Sequence, residues 1–170
     1  MNYILFDGPV GIIWEPFTFT RPVADIRIGI LTIREKWETY LGFTITTITE
    51  GYLSEKFPMV EMEENVLINA AYLPTSELAT LIINLKENQA IFKNEDVIAF
   101  FTKKGQDDID FSDFEAIEYD DELLKIEYSW DIFSKNGKAL NADFELLTKG
   151  RTSQTIPRSN NVLNASQIFI

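Results

Sequence analysis

Hydrophobic and polar positions fall in short blocks whose period changes along the chain. Tyr3-Ile4-Leu5-Phe6 is a compact apolar run closed by Asp7-Gly8-Pro9, the pattern of a buried strand entering a turn. Ile30, Ile33, Trp37 and Leu41 then recur at helical spacing, with Gly42 placed to stop the helix. Residues 43–49 are rich in β-branched side chains and predict a strand, as does the run 65–69. Pro74 suits the first turn of a second helix whose apolar face is Leu78, Leu81, Ile82 and Leu85. Residues 90–92 and 97–101 predict a hairpin turning at 94–96.

Alternation of strand and helix through residue 86 predicts parallel βαβ units, hence an α/β fold with a mostly parallel, Rossmann-like sheet flanked by helices. Ligands in such sheets lie beyond the carboxyl ends of the strands, which points to the loops 7–20 and 69–74. After residue 101 the pattern weakens. Residues 107–122 hold nine acids and no Lys or Arg, residues 130–133 and 144–147 predict short helical pieces, and the chain from Lys149 onward predicts an extended exit. No internal repeat is present.

Charge and composition narrow the chemistry. Net charge is −12 over 170 residues, so nucleic acid and anionic membrane are disfavoured as partners, and an anionic ligand needs a local group of cations or backbone amides. The chain has no Cys and no His, which excludes disulfides, thiol catalysis, His-assisted nucleophiles and the usual zinc sites. A metal would be a hard cation on oxygen, such as Mg2+. The start MNYILFDGPV has neither the basic region nor the apolar core of a signal peptide, and no stretch reaches the roughly 20 apolar residues of a membrane span. The expectation is a cytoplasmic protein.

Two stretches invite a site. Asp7-Gly8-Pro9-Val10-Gly11 follows a strand, and its glycines would let backbone amides face a phosphate; without a Walker lysine it also reads as a plain turn. Arg21, Arg27 and Arg34 can converge on a phosphate through paired N–H donors, although Asp25 is available to neutralise Arg21 or Arg27, and Arg34 suits surface pairing beside Glu35 and Glu38. Phe17-Thr18-Phe19-Thr20 predicts an extended stretch with phenylalanines inward and threonines outward. The acidic run fits no EF-hand register and predicts a solvated loop or edge.

The segments ILFD (4–7), PFTFTRPVADIRIGILTIREKW (16–37), LINAAYLP (67–74) and SWDIFSKNGKALNADFELLTKGR (129–151) together resemble a bacterial sugar nucleotidyltransferase family. That family is similar to the N-terminal domain of the bifunctional UDP-N-acetylglucosamine diphosphorylase/glucosamine-1-phosphate N-acetyltransferase. The resemblance implies a nucleotidyltransferase-like domain over residues 1–150, reduced in size. Residues 151–170 would then lead toward a left-handed β-helix acyltransferase domain that this chain lacks.

What the resemblance implies for chemistry is attack of a hexosamine 1-phosphate on the α-phosphate of a nucleoside triphosphate, UTP by analogy, with Mg2+ present and pyrophosphate released. Catalysis then rests on positioning and charge neutralisation. Arg21 and Arg27 would neutralise phosphate, Gly8 and Gly11 would admit the nucleotide, and Asp7, Thr20 and Asn69 would complete the substrate side. Asp7 and Asp25 are the carboxylates nearest in sequence for a metal. The chain departs from the superfamily pattern at three places. No Thr-Arg follows Gly11, Val23 stands where a Pro-Lys lysine belongs, and Asn69-Ala70 carries no acid where the metal-binding Asp belongs. These departures also support an alternative, a non-catalytic domain that binds ligand or partner and supports a C-terminal acyltransferase. Oligomerisation is left open.

Overall fold

A computed structural model describes residues 1–106 and 108–170. The elements in chain order are β1 (Asn2–Phe6), α1 (Val10–Ile13), α2 (Ile33–Leu41), β2 (Thr46–Ile48), β3 (Glu64–Asn69), α3 (Ser76–Ile83), β4 (Gln89–Lys93), β5 (Asp96–Lys103), β6 (Glu115–Glu118), α4 (Asp131–Ser134) and α5 (Asn136–Thr148). The six strands form one sheet in the order β2-β1-β3-β5-β4-β6. β1 is parallel to β2 and β3, β5 is antiparallel to β3 and β4, and β6 is parallel to β4, so β5 alone runs against the others. The fold is α/β with a mostly parallel sheet, as the alternation of elements predicts.

The two faces of the sheet are covered differently. Tyr3, Leu5, Val66, Ile68, Ile91, Ala99 and Phe101 point to one face and form a single core with Ile33, Trp37 and Leu41 of α2, Leu78 and Ile82 of α3, and Ala139 of α5. On the other face Phe6 packs on Phe100 with ring centres 5.9 Å apart, and Phe100 meets Phe111 at 5.2 Å and Phe114 at 6.1 Å. Those last two rings belong to the acidic run. Of the two expectations, loop or edge, the run supplies the edge: Glu115–Glu118 is the edge strand β6, its carboxylates face water, and its aromatics cover the second face. Asp107, the first acid of the run, lies outside the described residues.

Local signals set the helix ends. Thr32 and Glu35 form a reciprocal capping box, and Gly42 takes the left-handed conformation (φ 76°) that stops α2. The box starts α2 at Ile33, so Ile30 lies outside the helix in which its spacing placed it. The hairpin turns on Asn94 and Glu95, both with positive φ, a two-residue loop shorter than the sequence suggests. The short piece expected at 144–147 is the end of a 13-residue helix, α5. Its period was masked because Asp143, polar in the sequence, is buried at 3% exposure. Beyond α5, Gln154 N–H donates to Ile170 O and Phe169 packs edge-on against Phe144, so the end of the chain returns to that helix.

Candidate functional site

The connection from β1 to α2, residues 7–32, has little regular structure and is nevertheless held from within. Trp14, Val23, Ala24 and Ile28 are buried, and Trp14 Nε1–H donates to Glu127 O at 3.2 Å. Thr18 is 5% exposed and its hydroxyl donates to Gly11 O at 2.6 Å, while Phe17 and Phe19 are exposed. This departs from the expected pattern of phenylalanines in and threonines out at three of the four positions; Thr20 alone is exposed as expected. The stretch folds into consecutive turns, with Phe17 N–H bonded to Trp14 O and Phe19 N–H to Pro16 O, so the two-residue alternation of a strand does not apply.

Asp7 stands at the end of β1, nearly buried. Its Oδ1 accepts Val23 N–H at 2.9 Å and its Oδ2 accepts the Thr49 hydroxyl at 2.6 Å. Burial pushes its carboxyl from the usual 3.8 up to about 6, against the two hydrogen bonds, which pull the other way; Glu50 and Asp25 add to the rise. Asp7, Gly11, Glu15, Thr18 and Glu50 line a concavity of about 230 Å3. Gly11 is packed so closely that a Cβ there would sit 3.3 Å from Asp7 Cβ. Gly8 has φ 56°, and a Cβ on it would come within 3.8 Å of Asn69 Oδ1, so the ends of β1 and β3 meet at these two residues.

A folded-state carboxyl near 6 and an unfolded one near 3.8 have a thermodynamic consequence. Between those values the folded state binds more protons than the unfolded one, so this group lowers stability as pH rises from about 4 to about 6, with no further loss above. Asp7→Asn keeps the acceptor for Val23 and removes the ionisation. The variant is expected to exceed the wild type by roughly 2 kcal/mol at pH 8 and to lose that advantage toward pH 4. Urea unfolding at a series of pH values measures it; a pH-independent difference would refute the assignment.

The arginines separate into different roles. Arg34 Nε donates to Asp25 at 2.7 Å and its guanidinium also reaches Ile45 O, so Arg34 joins the loop to the approach of β2. Asp25 is thereby spent on Arg34, not on Arg21 or Arg27, and Arg34 is not in surface pairing with Glu35 or Glu38. Arg27 is exposed, donates to Ile30 O and lies 3.6 Å from Glu35. Arg21 is exposed and, among the described residues, makes no ion pair or side-chain hydrogen bond. Thr20, Arg21 and Arg27 share a concavity of about 390 Å3 with Phe17, Ile26 and Phe133. The structure thus brings Thr20, Arg21 and Arg27 together on one side of the 16–20 turns, and places Asp7 and Gly11 on the other.

Asn69 ends β3 with both ends of its amide bonded: Nδ2 donates to Val97 O at 3.1 Å and Oδ1 accepts Ala71 N–H at 3.0 Å. These contacts fasten the end of β3 to β5. They bear directly on Mg2+, since a hard cation needs several free oxygens. Asp7 has both oxygens bonded, Asp25 is paired with Arg34, and no group of three acids suited to a metal occurs among the described residues. The described residues build no three-acid metal cage, and Asp7, Glu15 and Glu50 are the carboxylates that line the concavity at the end of β1.

Sequence reasoning missed the residues that hold this loop in place. Asn136 Oδ1 accepts Gly29 N–H at 2.7 Å, and Asp143 Oδ2 accepts Ile30 N–H at 2.8 Å and Leu31 N–H at 3.1 Å. Asp143 also forms a buried ion pair with Lys36, each side chain 4% exposed. Helix α5 therefore clamps three successive amides just after Arg27. Lys36 and Asp143 lie 107 positions apart, so no local pattern links them.

The sheet order, the loop after β1 and the ends of β1 and β3 together describe a nucleotidyltransferase-like α/β domain. A profile described as sugar nucleotidyl transferase matches residues 3–152, and the chain belongs to that family. Among solved structures, a protein described as a glucose-1-phosphate thymidylyltransferase from Bacillus anthracis, in complex with a sucrose, superposes with a TM-score of 0.48 at 10% identity, over 83% of this chain and 96% of that one. No curated protein matches the chain by sequence. No helix among the described residues is long and apolar enough to cross a membrane.

Proposed function

We propose that this chain is a cytoplasmic sugar-1-phosphate nucleotidyltransferase domain of the UDP-N-acetylglucosamine type, binding UTP and a hexosamine 1-phosphate beyond the ends of β1 and β3. A phosphate oxygen of the sugar would form a bond to the α-phosphorus, and the bond to the leaving pyrophosphate would break. One observation carries the reading. Arg21 is an exposed guanidinium without a partner among the described residues, in a chain of net charge −12, on the loop that follows β1 in a sugar nucleotidyl transferase. A cation left unneutralised amid excess acid is suited to an external anion. Gly8 and Gly11 keep the strand end open to the ligand, and Thr20 adds a hydroxyl beside Arg21. Asp7 and Asn69 would complete the substrate side, Asp7 fixed by Val23 and Thr49 and Asn69 by Val97 and Ala71.

A second reading has its own support. Asn69 is an amide bonded to Val97 and Ala71 where the metal-binding acid of the superfamily pattern belongs, Val23 is buried where its lysine belongs, and no group of three acids suited to a metal occurs among the described residues. On that reading residues 1–150 bind ligand without turnover, and residues 151–170 lead to an acyltransferase domain.

Calorimetric titration with UTP and magnesium, followed by pyrophosphate release with N-acetylglucosamine 1-phosphate, separates the two. Binding with turnover supports the first and binding alone the second; absence of binding sinks both. Arg21→Ala is expected to weaken UTP about tenfold or more, the worth of a charge-assisted hydrogen bond. Arg27→Ala should cost less, because Glu35 and Ile30 O already occupy that guanidinium.

A further inference from the structure

A second cleft, of about 280 Å3, lies between α2, α5 and the connection from β3 to α3, apart from the arginines and from Asp7. Tyr40, Leu73, Leu124, Ala139 and Leu146 make its walls, and Lys36 and Asp143 also line it. Lys36 carries three N–H donors. Its ammonium meets the two oxygens of Asp143, and among the described residues no further acceptor reaches it. The donor that the two Asp143 oxygens leave unused has no acceptor among the described residues, and this 4% exposed side chain lines the cleft. Burial pulls the ammonium below its ordinary pKa, with Asp143 opposing the shift.

A buried donor without an acceptor is costly, and a perturbed ionisable group in a mainly apolar cavity is characteristic of ligand sites. The charges around the cleft cancel in pairs, Lys36 with Asp143 and, at the mouth, Lys138 with Glu122 at 3.4 Å. A charged ligand would unbalance one of them. We propose that this cleft is a small-molecule site for a compact, uncharged, largely apolar ligand whose single carbonyl-type acceptor meets Lys36 Nζ. The same Asp143 carboxylate holds Ile30 and Leu31 N–H, so occupancy is reported at the loop that follows Arg27.

The test uses the full chain labelled for NMR at Leu and Ala methyls, backbone amides and Lys Nζ, titrated with cyclohexanone and with its acceptor-free isostere methylenecyclohexane. Cyclohexanone is expected to give saturable shifts at Leu73, Leu124, Ala139 and Leu146 methyls, at the Ile30 and Leu31 amides, and at Lys36 Nζ. Methylenecyclohexane should shift the methyls and leave Lys36 Nζ unmoved. Ala142→Trp, on the exposed flank of α5 at the cleft, should abolish the shifts while thermal unfolding stays near wild type. Shifts that do not saturate, that scatter over the surface, that survive Ala142→Trp, or that leave Lys36 Nζ unmoved with cyclohexanone overturn the proposal. No nucleotide is used, so its outcome is independent of the UTP titration.

Discussion

Asp143→Ala is expected to be the most destabilising single change outside the apolar core. It removes the counter-charge of Lys36, which is 4% exposed, and also strips the acceptor from Ile30 and Leu31 N–H. Breaking one side of a buried pair leaves an uncompensated charge, at a cost of about 3–5 kcal/mol. For a chain of this length that corresponds to a fall in Tm of roughly 10 °C. Lys36→Met should cost less, because the Asp143 carboxylate then keeps its two backbone N–H donors. Chemical unfolding of both variants measures the difference. Equal losses would show that the charge pair, and not the amide clamp, carries the effect.

Gly29→Ala probes the same junction from the backbone side. Gly29 has φ 76°, a conformation that costs a residue bearing Cβ about 1–2 kcal/mol. The added Cβ would lie 2.6 Å from Asp143 Oδ2, 2.8 Å from Ala139 C and 2.9 Å from Leu140 N. Two of those atoms are helix backbone, so α5 must move as a body. Strain and overpacking together predict a loss of roughly 2–5 kcal/mol. A shift of α5 also moves the amides that set the path after Arg27, so UTP affinity is expected to fall alongside stability. Gly42→Ala is the comparison: its φ is the same but nothing lies within 4 Å of its Cβ position, so only the backbone cost should appear. If the two variants lost equal stability, the close approach of α5 to Gly29 would be refuted.

Much of the sheet was legible because strands buried on both faces read as unbroken apolar runs, as in Tyr3-Ile4-Leu5-Phe6 and Val66-Leu67-Ile68. Helix α2 was legible from its spacing and from Gly42. The paired coverage of the sheet was not, since Phe111 and Phe114 are isolated aromatics among acids and only the sheet shows what they cover. Of the three arginines that the sequence groups together, Arg21 and Arg27 share one concavity with Thr20, whereas Arg34 is bonded to Asp25. Asp7 and Gly11 fall on the other side of the 16–20 turns, which the chain order alone does not reveal.

The amino-acid order determined the periodicities, the turn residues and the excess of acid, which are local quantities, and with them the α/β class and the family. Which arginine is neutralised, which is left exposed, and which helix holds the loop were decided only in three dimensions. Asp25 had two arginines nearby in sequence and is bonded to neither, because Arg34 lies closer once α2 is packed. Asp143, an acid that no local pattern singles out, is the buried anchor of residues 30 and 31. Buried charges and backbone amides choose partners by distance in the folded chain, and that distance has no counterpart in sequence separation.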